Sequence, residues 1–277
     1  MMRRRRGLPL VGLGSLFLAS ALTAQTPGQK GTPEPGFHVR YRAPAASAYA
    51  ERVQAIQEDG VFDVAVDGLN RTFRVPRPVQ LELVPCGRGT ATWRAAERKI
   101  TLCHELVGAL EESFSRLEEP VPEGELPAAL SGALSFVFFH EAAHALVDLF
   151  RFPTRAKLEA TVDELTAIML LETSLGLIEA EAVVQVAIDG ALYLADVPDM
   201  PADLAFWSEH RLTRDRIGDV LCLVGGSEVT LDFDYLADEP VLQWPEEFGK
   251  RDCRFENSDL YQRWQPRLKP HLKPKEN

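Results

Sequence analysis

The sequence predicts an α+β fold, a small N-terminal sheet packed on a mainly helical body. Three observations lead there. Apolar residues alternate through much of 61–103, and from residue 104 the apolar spacing becomes helical. Proline and glycine then cut the helical stretch into pieces of ordinary helix length. The chain has 277 residues, 45% apolar and 26% charged, a globular rather than a disordered balance. Short connections favour a single domain over residues 47–265.

The elements follow in order. Arg3 to Arg6 and the uncharged, mostly apolar run Leu8 to Ala21 have the pattern of an export signal over residues 1–24. That run is shorter than the roughly 20 residues of a membrane span. Cleavage is expected after Ala21 or Ala24, which places the product in the periplasm or outside the cell, with no membrane insertion after removal. Residues 25–46, rich in Pro and Gly, read as a linker, and 47–60 as a short helix. Val61, Val64 and Val66, then Phe73, Val75, Val79, Leu81 and Leu83, predict strands, with a turn at Asp67-Gly68 and Asn70. Residues 90–93 and 100–103 read as a hairpin, so all β structure precedes residue 104. Helices are expected over 104–118, from Pro127 to about Arg151, over 156–175, over 179–196 and over 202–224. The second of these is apolar nearly all round and therefore buried. Beyond Gly225-Gly226 the reading is irregular, with Trp244, Cys253, Tyr261 and Trp264 as packing anchors and a disordered tail over 266–277. Past the signal, no stretch is expected to cross a bilayer.

The formal charge is −11, and removing the four arginines Arg3 to Arg6 takes it to −15. A surface of that sign repels phosphate backbones, which argues against nucleic-acid binding. Cys86, Cys103, Cys222 and Cys253 are widely spaced and contain no CxxC pair, so a thiolate metal site is not expected. Four cysteines allow three pairings. Sequence neighbours would give Cys86–Cys103 and Cys222–Cys253, each contributing on the order of 3 kcal/mol in an oxidising compartment.

The buried helix carries His140-Glu141-Ala142-Ala143-His144, an HExxH motif. Histidines four apart lie one turn above each other on one helical face, so both imidazoles can converge on a cation. Glu141 beside them can reach a water on that cation as general base. Burying these three polar groups in an apolar helix is costly unless something such as a metal satisfies them. A third ligand is required, and Val147 and Phe150 stand where an HExxHxxGxxH extension would need Gly and His. Glu159 lies fifteen residues after His144, on the next helix, which a short connection through Pro153 folds back. Asp163, one turn further, is placed to accept a hydrogen bond from a ligand histidine.

HExxH followed by ExxxD on a later helix resembles the gluzincin pattern. The chain resembles more closely a bacterial family described as putative metallopeptidases, with a domain of unknown function. The likeness covers about residues 75–265: the Cys86-to-Cys103 hairpin, Phe139 to Leu146, Glu159, Trp207-Ser208-Glu209-His210, Cys222 with Gly225, and Cys253 with Tyr261 and Trp264. Such relatives often carry Gly within the motif where Ala143 stands here. The resemblance implies a zincin-like fold and one zinc per chain, held by His140, His144 and Glu159. It also implies Glu141 as base and Asp163 as the group behind a ligand histidine. By the same likeness Ala91, Thr92 and Trp93 match an edge strand that binds extended substrate, and His210 matches a side chain that stabilises the oxyanion. His38, His104 and His271 are read as incidental. The expected activity is zinc-dependent hydrolysis of peptides or proteins by a monomer. An inactive exported zinc-binding module that holds a partner is the alternative, and a purely structural exported domain is a third.

Overall fold

Four short strands and a set of helices build the fold, in a computed structural model. It describes residues 33–42, 49–117, 120–121, 123–154, 158–174, 187, 190–191, 194, 210, 213–225 and 252–274. The expected signal, most of the expected linker, most of 179–196, Trp207-Ser208-Glu209 and Trp244 lie outside the described residues. In order come β1 (Gly36–Tyr41), α1 (Ala50–Asp59), α2 (Val61–Thr72), β2 (Pro78–Val84), β3 (Ala91–Arg94), β4 (Lys99–Cys103), α3 (His104–Ser115), α4 (Leu126–Phe150), α5 (Leu158–Ser174), α6 (Arg214–Gly225) and α7 (Cys253–Leu268). All belong to the compact unit Glu34–Asn277. The expected α+β class is what the chain adopts.

The sheet order is β1-β2-β4-β3, with β2 parallel to both β1 and β4 and the β3–β4 hairpin antiparallel. Val79, Leu81 and Leu83 of β2 and Ile100 and Leu102 of β4 turn into the core, each at most 2% exposed. The opposite face is charged, and there Glu82 lies 3.6 Å from both Arg40 and Arg42 and 3.8 Å from Lys99.

Three sequence expectations are corrected. Residues 61–72 form the helix α2 rather than a strand pair, because the buried set Val61, Phe62, Ala65, Val66 and Leu69 follows the helical repeat while also containing a short alternation. Asn70 makes no turn there. Its side-chain oxygen accepts from the Phe37 main-chain N–H at 2.7 Å and its amide donates to the Phe37 carbonyl at 2.9 Å, fastening β1 to α2. Gly36 beside it has φ +132°, and a Cβ there would lie 2.8 Å from the Asn70 oxygen. The second correction is β1 itself, which falls in the expected linker. Phe37 is 1% exposed, and β1 gains its order from pairing with β2 rather than from its own composition.

The third correction concerns the C-terminal stretch. Residues 253–268 form α7, and a 3-10 turn over Lys269–His271 continues it. Asp252 caps the helix by accepting from the Phe255 main-chain N–H at 3.0 Å. Pro266 lies in the last turn and, having no N–H, forgoes the one helical bond to the Gln262 carbonyl. Trp264 and Leu268 are buried, Leu272 bridges Phe73, and the Lys273 main-chain N–H donates to the Thr72 carbonyl at 2.9 Å. His271, read as incidental, stacks on Phe150 with centroids 3.8 Å apart. Disulfides join Cys86 to Cys103 and Cys222 to Cys253, the pairing that sequence neighbours suggest. The second ties α6 to the start of α7.

The helix α4 is the centre of the body. Pro127 sits in its first turn, and every residue from Ala129 to Val147 is buried. Phe136, Phe138 and Phe139 are at most 1% exposed, each contributing about 2 to 3 kcal/mol through burial. Contrary to expectation, α4 is long and apolar enough to cross a bilayer, with a mean hydropathy of 1.3. However, 83% of that apolar window is covered by the rest of the protein, as in a core helix. Residues 187, 190, 191 and 194 are helical, and Gly190 presses on α4. At Gly190 a Cβ would fall 2.0 Å from the Ala133 nitrogen, so no other residue permits this approach.

Candidate metal centre

The core helix α4 brings His140, Glu141 and His144 into the interior, at 1%, 0% and 8% exposure. Their rings lie one turn apart, with centroids separated by 5.0 Å, as the four-residue spacing dictates. The helix α5 packs on α4 and supplies the carboxylates. His140 Nδ1 lies 3.6 Å from Asp163 Oδ1, while His144 Nε2 lies 3.5 Å from Glu159 Oε1. The later histidine meets the earlier acid, so the two helices run antiparallel. Glu159 Oε2 is also 3.5 Å from His140 Nε2, which puts one carboxylate against both imidazoles.

His210 approaches from the segment before α6. Its Nε2 is 3.1 Å from Glu141 Oε1 and its Nδ1 is 3.8 Å from Glu159 Oε2. Donor atoms of His140, His144, Glu159 and His210 all lie within 4.8 Å of one another, a grouping able to hold a metal ion. The second cluster of potential donors, Cys86, Cys103 and Glu105, has its two sulfurs joined in the disulfide. There Glu105 accepts from the Cys86 and Gly87 main-chain N–H groups instead.

The electrostatics suit a cation. Burial, reinforced by the neighbouring His140, pushes His144 down to about 3, so its imidazole is neutral and has a lone pair to offer. His144 Nε2 is buried with no hydrogen-bond partner among the described residues, a costly state that a bound ion relieves. Burial alone would raise Glu159, but hydrogen bonding to His140 and His210 holds it below the usual carboxylate range. Burial raises Glu141, opposed by the charges of His210 and His140 and by the Trp93 main-chain N–H. Burial would lower His210, but Glu159 and Glu141 outweigh it and raise the ring. A neutral His144, a second imidazole from His140 and the Glu159 carboxylate together make a donor set for a divalent metal ion.

The strand β3 closes the site on one side. The Cys103 main-chain N–H donates to the Thr90 carbonyl at 3.0 Å, and Thr92 is in register with Thr101. Thr90 and Thr92 therefore direct their main-chain groups at β4, leaving those of Ala91 and Trp93 to face outward. That outward edge meets the site: the Ala91 main chain hydrogen-bonds His210, and the Trp93 N–H lies against Glu141. Beyond Glu159 and Asp163 opens a cleft of about 400 Å³, bordered by Arg216, Asp219 and Phe255.

The residues singled out from the sequence thus meet in space. His140, Glu141, His144, Glu159, Asp163 and His210 form one cluster, with Ala91, Thr92 and Trp93 on its flanking strand. The sequence left the reach of Arg216 unread. Its guanidinium bonds Asp163 at 2.7 Å and Glu159 at 3.1 Å, across 53 and 57 positions of chain. Its charge and nearness to His210 were the available signals.

Two histidines and a carboxylate from packed antiparallel helices, beside a buried glutamate, form a donor set of the kind that metal-dependent hydrolases use. A family model described as "Putative metallopeptidase" matches residues 41–268, and the chain belongs to that family. No curated protein and no solved structure gives a match. Membership implies a metal-dependent peptidase whose substrates are peptides or proteins.

Proposed function

We propose that this chain is an exported zinc peptidase in which His140, His144 and Glu159 hold the ion and Glu141 is the general base. The observation that carries the proposal is the Glu159 carboxylate lying 3.5 Å from an Nε2 of each motif histidine. A bound zinc ion supplies Lewis acidity and a water whose pKa is brought to about 7.

The protein's own groups do the rest. Glu141 is wholly buried, and its pKa lies above the ordinary carboxylate value, closer to that of the water proton it takes. Its carboxyl then returns that proton to the departing amine. His210 is held near Glu141, and Glu159 and Glu141 raise its pKa against the effect of burial, which makes it the donor suited to steady the carbonyl oxygen as that becomes negative. Asp163 faces His140 Nδ1 and fixes the ring so that Nε2 points into the cluster. The outward main-chain groups of Ala91 and Trp93 that His210 and Glu141 do not already engage face an extended substrate, with Thr92 between them holding the strand to β4.

Two disulfides fit an oxidising compartment, and the N-terminal Arg-rich, apolar segment fits export to one. The mass of the exported chain should correspond to a start at Leu22 or Gln25. For the activity itself, the mature chain is stripped with chelator, reloaded with zinc and given a mixed peptide library. One zinc per chain and chelator-sensitive cleavage are expected. Tight zinc without cleavage of any peptide would favour the partner-binding module, and no stoichiometric metal would overturn the proposal.

A further inference from the structure

Arg216, on α6, joins α5 and the His210 segment through one side chain. It is 17% exposed, between an Asp163 at 10% and a Glu159 at 31%. Its Nε donates to Asp163 Oδ2 and its Nη2 to Asp163 Oδ1, both at 2.7 Å, a two-pronged grip. Nη2 also donates to Glu159 Oε2 at 3.1 Å, and Nη1 donates to the His210 main-chain carbonyl. Three partners with three separate duties in the site are thus bonded to one planar group.

We infer that Arg216 is a positioning residue for the metal centre, resting on the peptidase reading above. Its role follows from what each bond fixes. Glu159 and Asp163 lie four apart on one face of α5, where two carboxylates repel each other, and the guanidinium between them holds both in place. Gripping Glu159 by Oε2 leaves Oε1 as the oxygen turned to His144 without an arginine contact. Asp163, pinned at both oxygens, keeps its distance to His140 Nδ1. The bond to the His210 carbonyl sets where that histidine begins relative to the same two acids. A lysine keeps the charge but cannot span both Asp163 oxygens and Glu159 in one plane.

Arg216→Lys in the full mature chain separates placement from charge. Zinc affinity is measured by competition with a chromogenic chelator, and the site is read by the visible absorption of the cobalt-substituted protein. Zinc binding about 10- to 100-fold weaker is expected, with shifted cobalt bands and an unchanged far-ultraviolet circular dichroism spectrum. Asp163→Asn breaks the same grip from the other side and should shift the cobalt bands likewise, which covers the case of a Lys variant that does not fold. Combining the two changes should weaken zinc no further than either alone, because they act as one unit. Wild-type affinity and an identical cobalt spectrum in folded Arg216→Lys overturn the positioning role while leaving the peptidase reading intact. A wild-type chain that takes up no metal overturns both.

Discussion

Replacing Glu141 by Gln removes the base and leaves the metal donors in place. Glu141 is 0% exposed, and burial is the main cause of its raised pKa, so a negative charge at this position is costly in the core. Glutamine has the same shape and no charge, and the apo fold should therefore be no less stable than the wild type. His140, His144 and Glu159 reach one another without Glu141, so zinc content should stay at one per chain. General base catalysis is worth about 10²- to 10⁴-fold, or roughly 3 to 5 kcal/mol of barrier. The chain's cleavage rate on a fluorogenic peptide should fall by that factor. A second change accompanies it: His210 Nε2, 3.1 Å from Glu141 Oε1, loses a negative neighbour that raises its pKa, so its titration should move down. The assay pairs elemental analysis with initial rates on the same sample. Hydrolysis retained within about threefold of wild type, with zinc bound, would refute the assignment of the base.

Other outcomes follow from the same geometry. In the metal-free protein His144 titrates near 3 when folded and near 6.5 when unfolded, so the unfolded chain binds the extra proton between those values. Stability should fall as pH drops from 6.5 toward 3, by about 2 kcal/mol at pH 5, and His144→Gln should flatten that slope in urea titrations; equal slopes would contradict it. Replacing Cys222 and Cys253 by Ser opens a loop of 31 residues and should cost about 3 to 4 kcal/mol, read as a lower thermal midpoint that reductant no longer changes in a Cys86/Cys103-free background. Asn70→Ala strips Phe37 of both bonds and should cost about 1 to 3 kcal/mol while sparing zinc affinity.

The centre of the molecule was written plainly in the sequence. An apolar stretch between Pro127 and Pro153, interrupted by two histidines and a glutamate, has few explanations other than a buried helix with a ligand. Glu159 and Asp163 were readable because a short connection leaves the next helix little choice of direction. Elsewhere the local signal was ambiguous. Residues 61–69 satisfy a helical repeat and partly satisfy a strand repeat, and only packing decides between them. β1 lies in a Pro- and Gly-rich stretch and owes its form to a partner 42 positions away. α7 is polar over most of its surface and contains Pro266, yet Trp264 anchors it by donating from Nε1 to Glu164 Oε2 at 2.6 Å. The grip of Arg216 was signalled only by its charge and its nearness to His210, because nothing local links it to α5. Long-range pairing is where sequence reading is weakest.

The most direct measurement is an anomalous-difference map at the zinc absorption edge, from crystals of the zinc-loaded chain. The account predicts one peak within bonding distance of Nε2 of His140, Nε2 of His144 and a carboxylate oxygen of Glu159. A map with no peak there, or with the ion held by other side chains, would contradict it.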